Sequence, residues 1–337
     1  LKILDTLVEK ALTRRSFLAG AGSVAVTTAV AGCSSADTVT TTTGLYSDND
    51  VLNYALNLEY LEAEFYLRAA TGSGLAAADT TAGSASTYQT VGAVTPGNAA
   101  AIPGLSSAQQ AQLNEIAYEE QEHVRFLRSA LGTAAVPRPA IDLSFFGPLA
   151  VSAGITTTVT GSGAFNPFSS FDNFLVGAFI FEDVGVTAYT GAAPLLIYTA
   201  GVPSASLTAA SGILAVEAYH AAYIRTTLTA RAIAAAGAGA AYPYLGYANQ
   251  VAALRASLTI GNNAAPGTAG SVETLLTLPA TTASPSAIVP CSPTTAIGFT
   301  RTVNQVIHIV YGSGTVGASS GGFFPSGLNS LFATTTA

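Results

Sequence analysis

The chain has 337 residues, is 49% hydrophobic and only 9% charged, and carries a formal net charge of −7 with a mean hydropathy of +0.44. That length can bury a sizeable core in one large or two small domains, and the acidic balance excludes nucleic acid as an expected partner. No stretch beyond the N-terminus reads as a membrane span, because the apolar run Leu175 to Phe181 meets Glu182 and Asp183 at once.

The first element reads as an export signal. Thr13-Arg14-Arg15-Ser16-Phe17-Leu18 resembles a twin-arginine motif, a Gly/Ala/Val/Thr run follows, and Val30-Ala31-Gly32-Cys33 resembles a lipoprotein processing box. Residues 1–32 are therefore expected to be a signal and Cys33 a lipidation point. The protein is expected outside the cytoplasm, periplasmic or at the cell surface, with a membrane as partner through that lipid. Lipid on Cys33 leaves Cys291 as the remaining thiol and removes any intramolecular disulfide. Residues 33–47 form a Ser/Thr-rich tether.

A first helix is expected from a cap at Asp48 or Asp50 to about Ala70, then a Gly/Ala/Ser/Thr loop insertion over 71–105 read as a surface excursion. The second helix runs from about Ser106 to Gly132. A long crossover, 133–168, follows, with a short β segment expected at Ile155 to Val159. The third helix starts near Ser169 and is interrupted near Pro194, and the fourth spans Ser204 to about Ala235. A fifth is expected at Tyr247 to Leu258, and the tail beyond Gly261 is irregular except for Phe299 to Tyr311. The fold class is thus all-α: a four-helix bundle over 48–235 with a C-terminal extension, 236–337, packed against it.

Two Glu-x-x-His motifs, Glu120/His123 and Glu217/His220, use two of the three histidines. Residues three apart on a helix lie about 60° apart in projection, so one carboxylate and one imidazole can face the same ion. Glu120, His123, Arg128 and Leu131 repeat as Glu217, His220, Arg225 and Leu228 at an offset of 97, and Glu59 and Tyr66 repeat as Glu182 and Tyr189 at an offset of 123. Two helix pairs each supply Glu, then Glu-x-x-His, which is the ligand set of a carboxylate-bridged two-metal site. Helical glutamates usually solvate an outer face, and a lone histidine on an apolar face is more often a core residue than a ligand. Here, however, FLVGAFIFEDVGVTAY around Glu182 offers no polar face for it to join, and converging buried carboxylates need cations or protons. Glu62, one turn from Glu59, could replace or join it. Tyr66 and Tyr189 are candidate donors to ligating carboxylates or electron relays, with core packing as the equal alternative. Arg128 and Arg225 are either neutralising partners or helix-end residues, and His308, lacking a carboxylate at helical spacing, is read as structural.

The stretch Asn53-Tyr54-Ala55-Leu56-Asn57-Leu58-Glu59-Tyr60-Leu61-Glu62-Ala63-Glu64-Phe65-Tyr66 resembles the opening helix of the ferritin-like proteins called the desiccation-related family. Arg301-Thr302, Gln305-Val306, Ile309-Val310-Tyr311-Gly312 and Gly321-Gly322-Phe323-Phe324-Pro325 are similar to its tail. The resemblance implies a ferritin-like bundle over about 48–330, with the 71–105 loop as the departure.

Four Glu and two His suit two ions of variable valence, iron first and manganese second. Two functions stay open: an exported di-iron or Mn/Fe protein reacting with dioxygen or peroxide in stress protection, or a structural, self-assembling or desiccation-protective surface protein whose metal site is structural or lost. Assembly into a homo-oligomer or surface array is compatible with either. A storage cage is disfavoured by the long loop and tail.

Overall fold

The computed structural model describes residues 46–155, 165–196, 204–278 and 288–336, all within one compact unit, Thr43–Ala337. The expected signal, Cys33, nearly all of the tether, and the expected β segment beyond Ile155 lie outside these residues.

Seven α-helices are described: α1 Asp48–Thr71, α2 Ser107–Leu131, α3 Phe146–Ser152, α4 Phe171–Ala192, α5 Ala205–Gly237, α6 Tyr244–Leu258 and α7 Val303–Val310. Their ends follow local chemistry. Ser47 caps α1, with Asp50 reaching back to accept from the Ser47 N–H at 2.7 Å, so the expected Asp48/Asp50 cap shifts one residue outward. Ser106, Ser170 and Ser204 cap α2, α4 and α5 by accepting from the N–H three residues on. Gly72, at φ 81, closes α1 in the left-handed conformation that glycine adopts without strain. α4 ends at Ala192, followed by a 3₁₀ turn over Ala193–Leu195 that contains Pro194.

The core is an all-α bundle in which α1 packs along α2 and α4 along α5, with α1 against α4 and α2 against α5. α4 has the length and composition of a membrane-crossing helix, but it is buried on nearly every side. Phe65 of α1 sits among Phe146, Phe168, Phe174 and Phe181 at centroid distances of 5.2–5.7 Å, geometries that add about 0.5–1.5 kcal/mol per pair beyond area burial.

Two irregular segments are tied to the bundle. The 71–105 insertion docks on the crossover: Val94–Thr95 (β1) pairs in parallel with Ile141–Asp142 (β2), and Leu75, Thr80 and Ile102 are buried. This parallel pair, formed where two extended stretches meet, is one the sequence did not announce. The tail wraps the bundle. Phe323 packs on Phe145, Phe146 and Phe181 at 5.0–5.1 Å, and Asn57 inside α1 exchanges bonds with the Asn329 backbone at 2.9 and 3.1 Å.

A buried ion network completes the attachment. Arg225 of α5 grips Asp183 of α4 with two bonds of 2.9 Å, and Arg255 of α6 bridges Asp183 (2.7 Å) and Glu273 (2.8 Å). Arg301 of the tail reaches Glu273 at 2.5 Å and Thr187 of α4 at 2.9 Å. All five charged groups are almost fully buried. Three guanidiniums against two carboxylates leave one net positive charge. Burial would raise the Asp183 carboxyl, but Arg225 and Arg255 overcome it and hold it at about 2, while burial pulls the Arg301 guanidinium below its usual range. Arg225 is thus a neutralising partner. Its repeat mate Arg128 instead donates to Tyr60 Oη (2.7 Å) and the Thr81 carbonyl (2.6 Å), fastening the insertion. His308 is structural as expected: fully buried, its ring nitrogens lie 2.6 Å from the Ser313 carbonyl and 3.1 Å from that of Thr336.

Candidate metal centre

Glu59 (α1), Glu120 and His123 (α2), Glu182 (α4), and Glu217 and His220 (α5) are all buried and converge between the four bundle helices. Their donor atoms form two overlapping sets. Glu59, Glu120, His123 and Glu217 offer atoms within 4.8 Å of one another, and so do Glu120, Glu182 and His220, so Glu120 is common to both. His123 Nδ1 lies 3.1 Å from Glu59, 3.6 Å from Glu120 and 3.7 Å from Glu217. His220 Nδ1 lies 2.9 Å from Glu120 and 3.6 Å from Glu182.

The tyrosines act crosswise. Tyr66 of α1 donates to Glu182 of α4, and Tyr189 of α4 donates to Glu59 of α1. Burial and then the carboxylate beside it push each phenol well above its usual range, so both remain protonated donors. Of the alternatives open from sequence, hydrogen bonding to the carboxylates is what the geometry shows.

Glu62 resolves differently from Glu59. It is buried but belongs to neither donor set. It borders a small apolar cavity of about 20 Å³ with Leu58, Leu61, Val184 and Phe323, room for roughly one water. Gly185 explains how Glu217 and Glu62 enter the same space: a Cβ at that position would stand 2.1 Å from Glu217 Oε2 and 3.4 Å from Glu62 Oε1. Gly185→Ala is expected to push the Glu217 carboxylate out of the cluster and reduce metal binding at least tenfold, while leaving the helical circular dichroism spectrum intact. Unchanged metal content in that variant would remove Glu217 from the ligand set.

Electrostatics state the same need for cations. Burial would raise Glu120, but His123 and His220 on either side overcome it and bring it to about 2. Burial would lower the imidazoles, but Glu59 and Glu120 lift His123 to about 11, and Glu182 and Glu120 lift His220 to about 10. Burial raises Glu59, takes Glu182 to about 8 in spite of His220, and with the neighbouring carboxylates takes Glu62 and Glu217 well above the usual range. Without cations the cluster therefore holds itself together with protons. Both oxygens of Glu120 and Glu217, one of Glu182 and Nδ1 of His220 are buried without a well-formed hydrogen bond. These six inward-facing atoms on carboxylates and imidazole fit hard-to-borderline metal ions.

Sequence reasoning missed Glu119, whose Oε2 accepts from His220 Nε2 at 2.7 Å. It also missed the Asp183, Arg255, Glu273 and Arg301 knot. For the knot the available signal was a set of ionisable residues inside otherwise apolar or Thr/Ala-rich stretches; Glu119, in the run Glu119-Glu120-Gln121-Glu122, carried no such signal.

A four-helix bundle with two Glu-x-x-His helices and two further glutamates meeting at its centre defines the ferritin-like class. The ferritin-like domain profile matches residues 47–230, more than half of the chain, and the chain belongs to that family. Among curated proteins it is 33% identical over 196 residues to the desiccation-related protein PCC13-62 of Craterostigma plantagineum, covering 55% of this chain and 54% of that protein. It is 27% identical over 315 residues to the ferritin-like catalase Nec2 of Nesocodon mauritianus, covering 89% of each. The chain thus matches about half the length of the first relative and nearly all of the second. No solved structure matches it.

Proposed function

We propose that the protein is a di-metal ferritin-like enzyme that consumes peroxide, with Glu59, Glu120, His123, Glu182, Glu217 and His220 holding two iron or manganese ions. The observation that carries this reading is the pair of overlapping donor sets sharing Glu120. Two redox-active ions held there would supply the two-electron exchange that turns two molecules of hydrogen peroxide into dioxygen and two of water. The chain's own residues prepare the site for it. Tyr66 and Tyr189 fix the orientation of Glu182 and Glu59. Glu62, whose carboxyl burial and the neighbouring carboxylates push up in the metal-free chain, lies at the edge of the cluster. The apolar packing of α1 and α4 excludes bulk water. The likeness to a ferritin-like catalase over most of both chains supports peroxide as the oxidant.

The likeness to a desiccation-related protein favours a second reading, in which the ions only staple a protective surface protein. Turnover separates the two. Purified protein should contain about two ions per chain and evolve dioxygen from hydrogen peroxide, and Glu120→Ala should lose both ions and at least 100-fold in rate, because Glu120 serves both sets. Two ions without dioxygen evolution would favour the staple.

Export and anchoring belong to the same proposal. Replacing Arg14 and Arg15 by Lys should retain the protein in the cytoplasm, and Cys33→Ala should abolish membrane retention; undiminished membrane association of the Cys33 variant would remove the lipid anchor.

A further inference from the structure

The two donor sets are not built alike. The set around His123 has four residues, Glu59, Glu120, His123 and Glu217, whereas the set around His220 has three, Glu120, Glu182 and His220. The smaller set has something the larger lacks. Glu119, on the turn of α2 next to Glu120, places Oε2 2.7 Å from His220 Nε2. His220 is itself almost fully buried, with its other nitrogen, Nδ1, directed at Glu120 and Glu182. A carboxylate accepting from Nε2–H fixes the tautomer, leaves the Nδ1 lone pair for a metal, holds the ring plane in place and makes the imidazole a stronger donor.

His123 has no such support. At the repeat offset of 97, Glu119 aligns with Val216, so the internal symmetry that reproduces the ligands breaks at this position. Among the described residues no side chain is seen to accept from His123 Nε2, and the His123 side chain is 10% exposed against 4% for His220.

We infer that Glu119 is the positioning residue of the metal position formed by Glu120, Glu182 and His220, and that the two positions reach their affinity by different means, one through an additional ligand and the other through an anchored histidine. Glu119 touches neither metal nor peroxide; it acts through His220. The inference rests on the two-metal reading.

The experiment is manganese(II) titration of the full metal-free chain, followed by isothermal titration calorimetry and by electron paramagnetic resonance of the bound ion. Glu119→Ala should weaken one of two sites by about 10–100-fold and leave the other in place. Glu119→Gln keeps an acceptor for Nε2–H and should restore most of the loss. In a Glu182→Ala background, where the same position is already impaired, adding Glu119→Ala should leave the remaining site unchanged. A merely structural surface pair would instead shift the melting temperature without singling out one site. Two sites of unchanged affinity in Glu119→Ala, or two weakened equally, overturn the inference while the two-metal reading survives. A wild-type chain that holds neither manganese(II) nor iron(II) overturns both.

Discussion

Metal-free protein should lose stability as pH rises from 5 to 8, and metal-loaded protein should gain it. In the folded apo state Glu59, Glu62, Glu182 and Glu217 titrate above their ordinary range, with Glu182 at about 8. They keep protons that the unfolded chain has already released above about pH 4.5. His123 and His220, raised to about 11 and 10, add retained protons once the unfolded chain passes about pH 6.5. Their contributions are complete below the unfolded values and disappear as pH climbs through the folded ones. Glu120, held at about 2, behaves in the opposite sense, but its contribution is complete above about pH 4.5 and is flat across this window. The folded state therefore binds more protons than the unfolded state throughout, and each retained proton costs about 1.4 kcal/mol of stability per pH unit. Ligation needs the deprotonated forms, so metal should widen the gap between the holo and apo melting temperatures as pH increases. The check is a set of thermal melts at half-unit intervals with and without manganese(II). Parallel curves would falsify the assignment of this cluster to metal.

The second large effect lies outside the metal cluster. Asp183→Ala should lower stability by roughly 3–5 kcal/mol, because it removes the buried carboxylate that Arg225 and Arg255 share and raises the net buried charge from one to two. For a domain of this size that is a fall in melting temperature on the order of 10 °C. Arg125→Ala is the control. Arg125 pairs with Asp79 and Glu122 at 3.0 and 2.7 Å, but its side chain is 42% exposed, and the change should be within about 1 kcal/mol. If both variants melt alike, the knot is not what holds the tail to the bundle. A loss confined to Asp183→Ala would also slacken α4, on which Glu182 is the preceding residue.

The convergence of the candidate residues was legible from sequence because helical periodicity and the repeat offsets constrain the same positions twice. Glu59, Glu120, His123, Glu182, Glu217 and His220 satisfy both, and all six meet. Glu59 and Glu62 could not be separated by periodicity, since both can face inward one turn apart; in three dimensions Glu59 joins a donor set and Glu62 does not. The helices were readable for a related reason, their caps and apolar stripes being local. The docking of 71–105 and of the tail depends on partners far along the chain, such as Arg255 with Glu273 and Asn57 with Asn329, and no local pattern announces those pairings. The repeat misleads at Arg128 and Arg225: equal positions in the repeat face unequal neighbours, a loop in one case and a buried aspartate in the other.

The crosswise tyrosine bonds carry a consequence for ancestry and for dissection. Each half of the bundle, α1 with α2 and α4 with α5, owns a glutamate, a tyrosine and a Glu-x-x-His, yet each tyrosine serves the glutamate of the opposite half. Neither half can finish its own ligand shell. An internal duplication of a helix pair would leave this arrangement, with the seam between the two copies running through the cluster. A chain severed between α3 and α4 should accordingly reassemble by fragment complementation, and the two pieces should capture metal together but not apart.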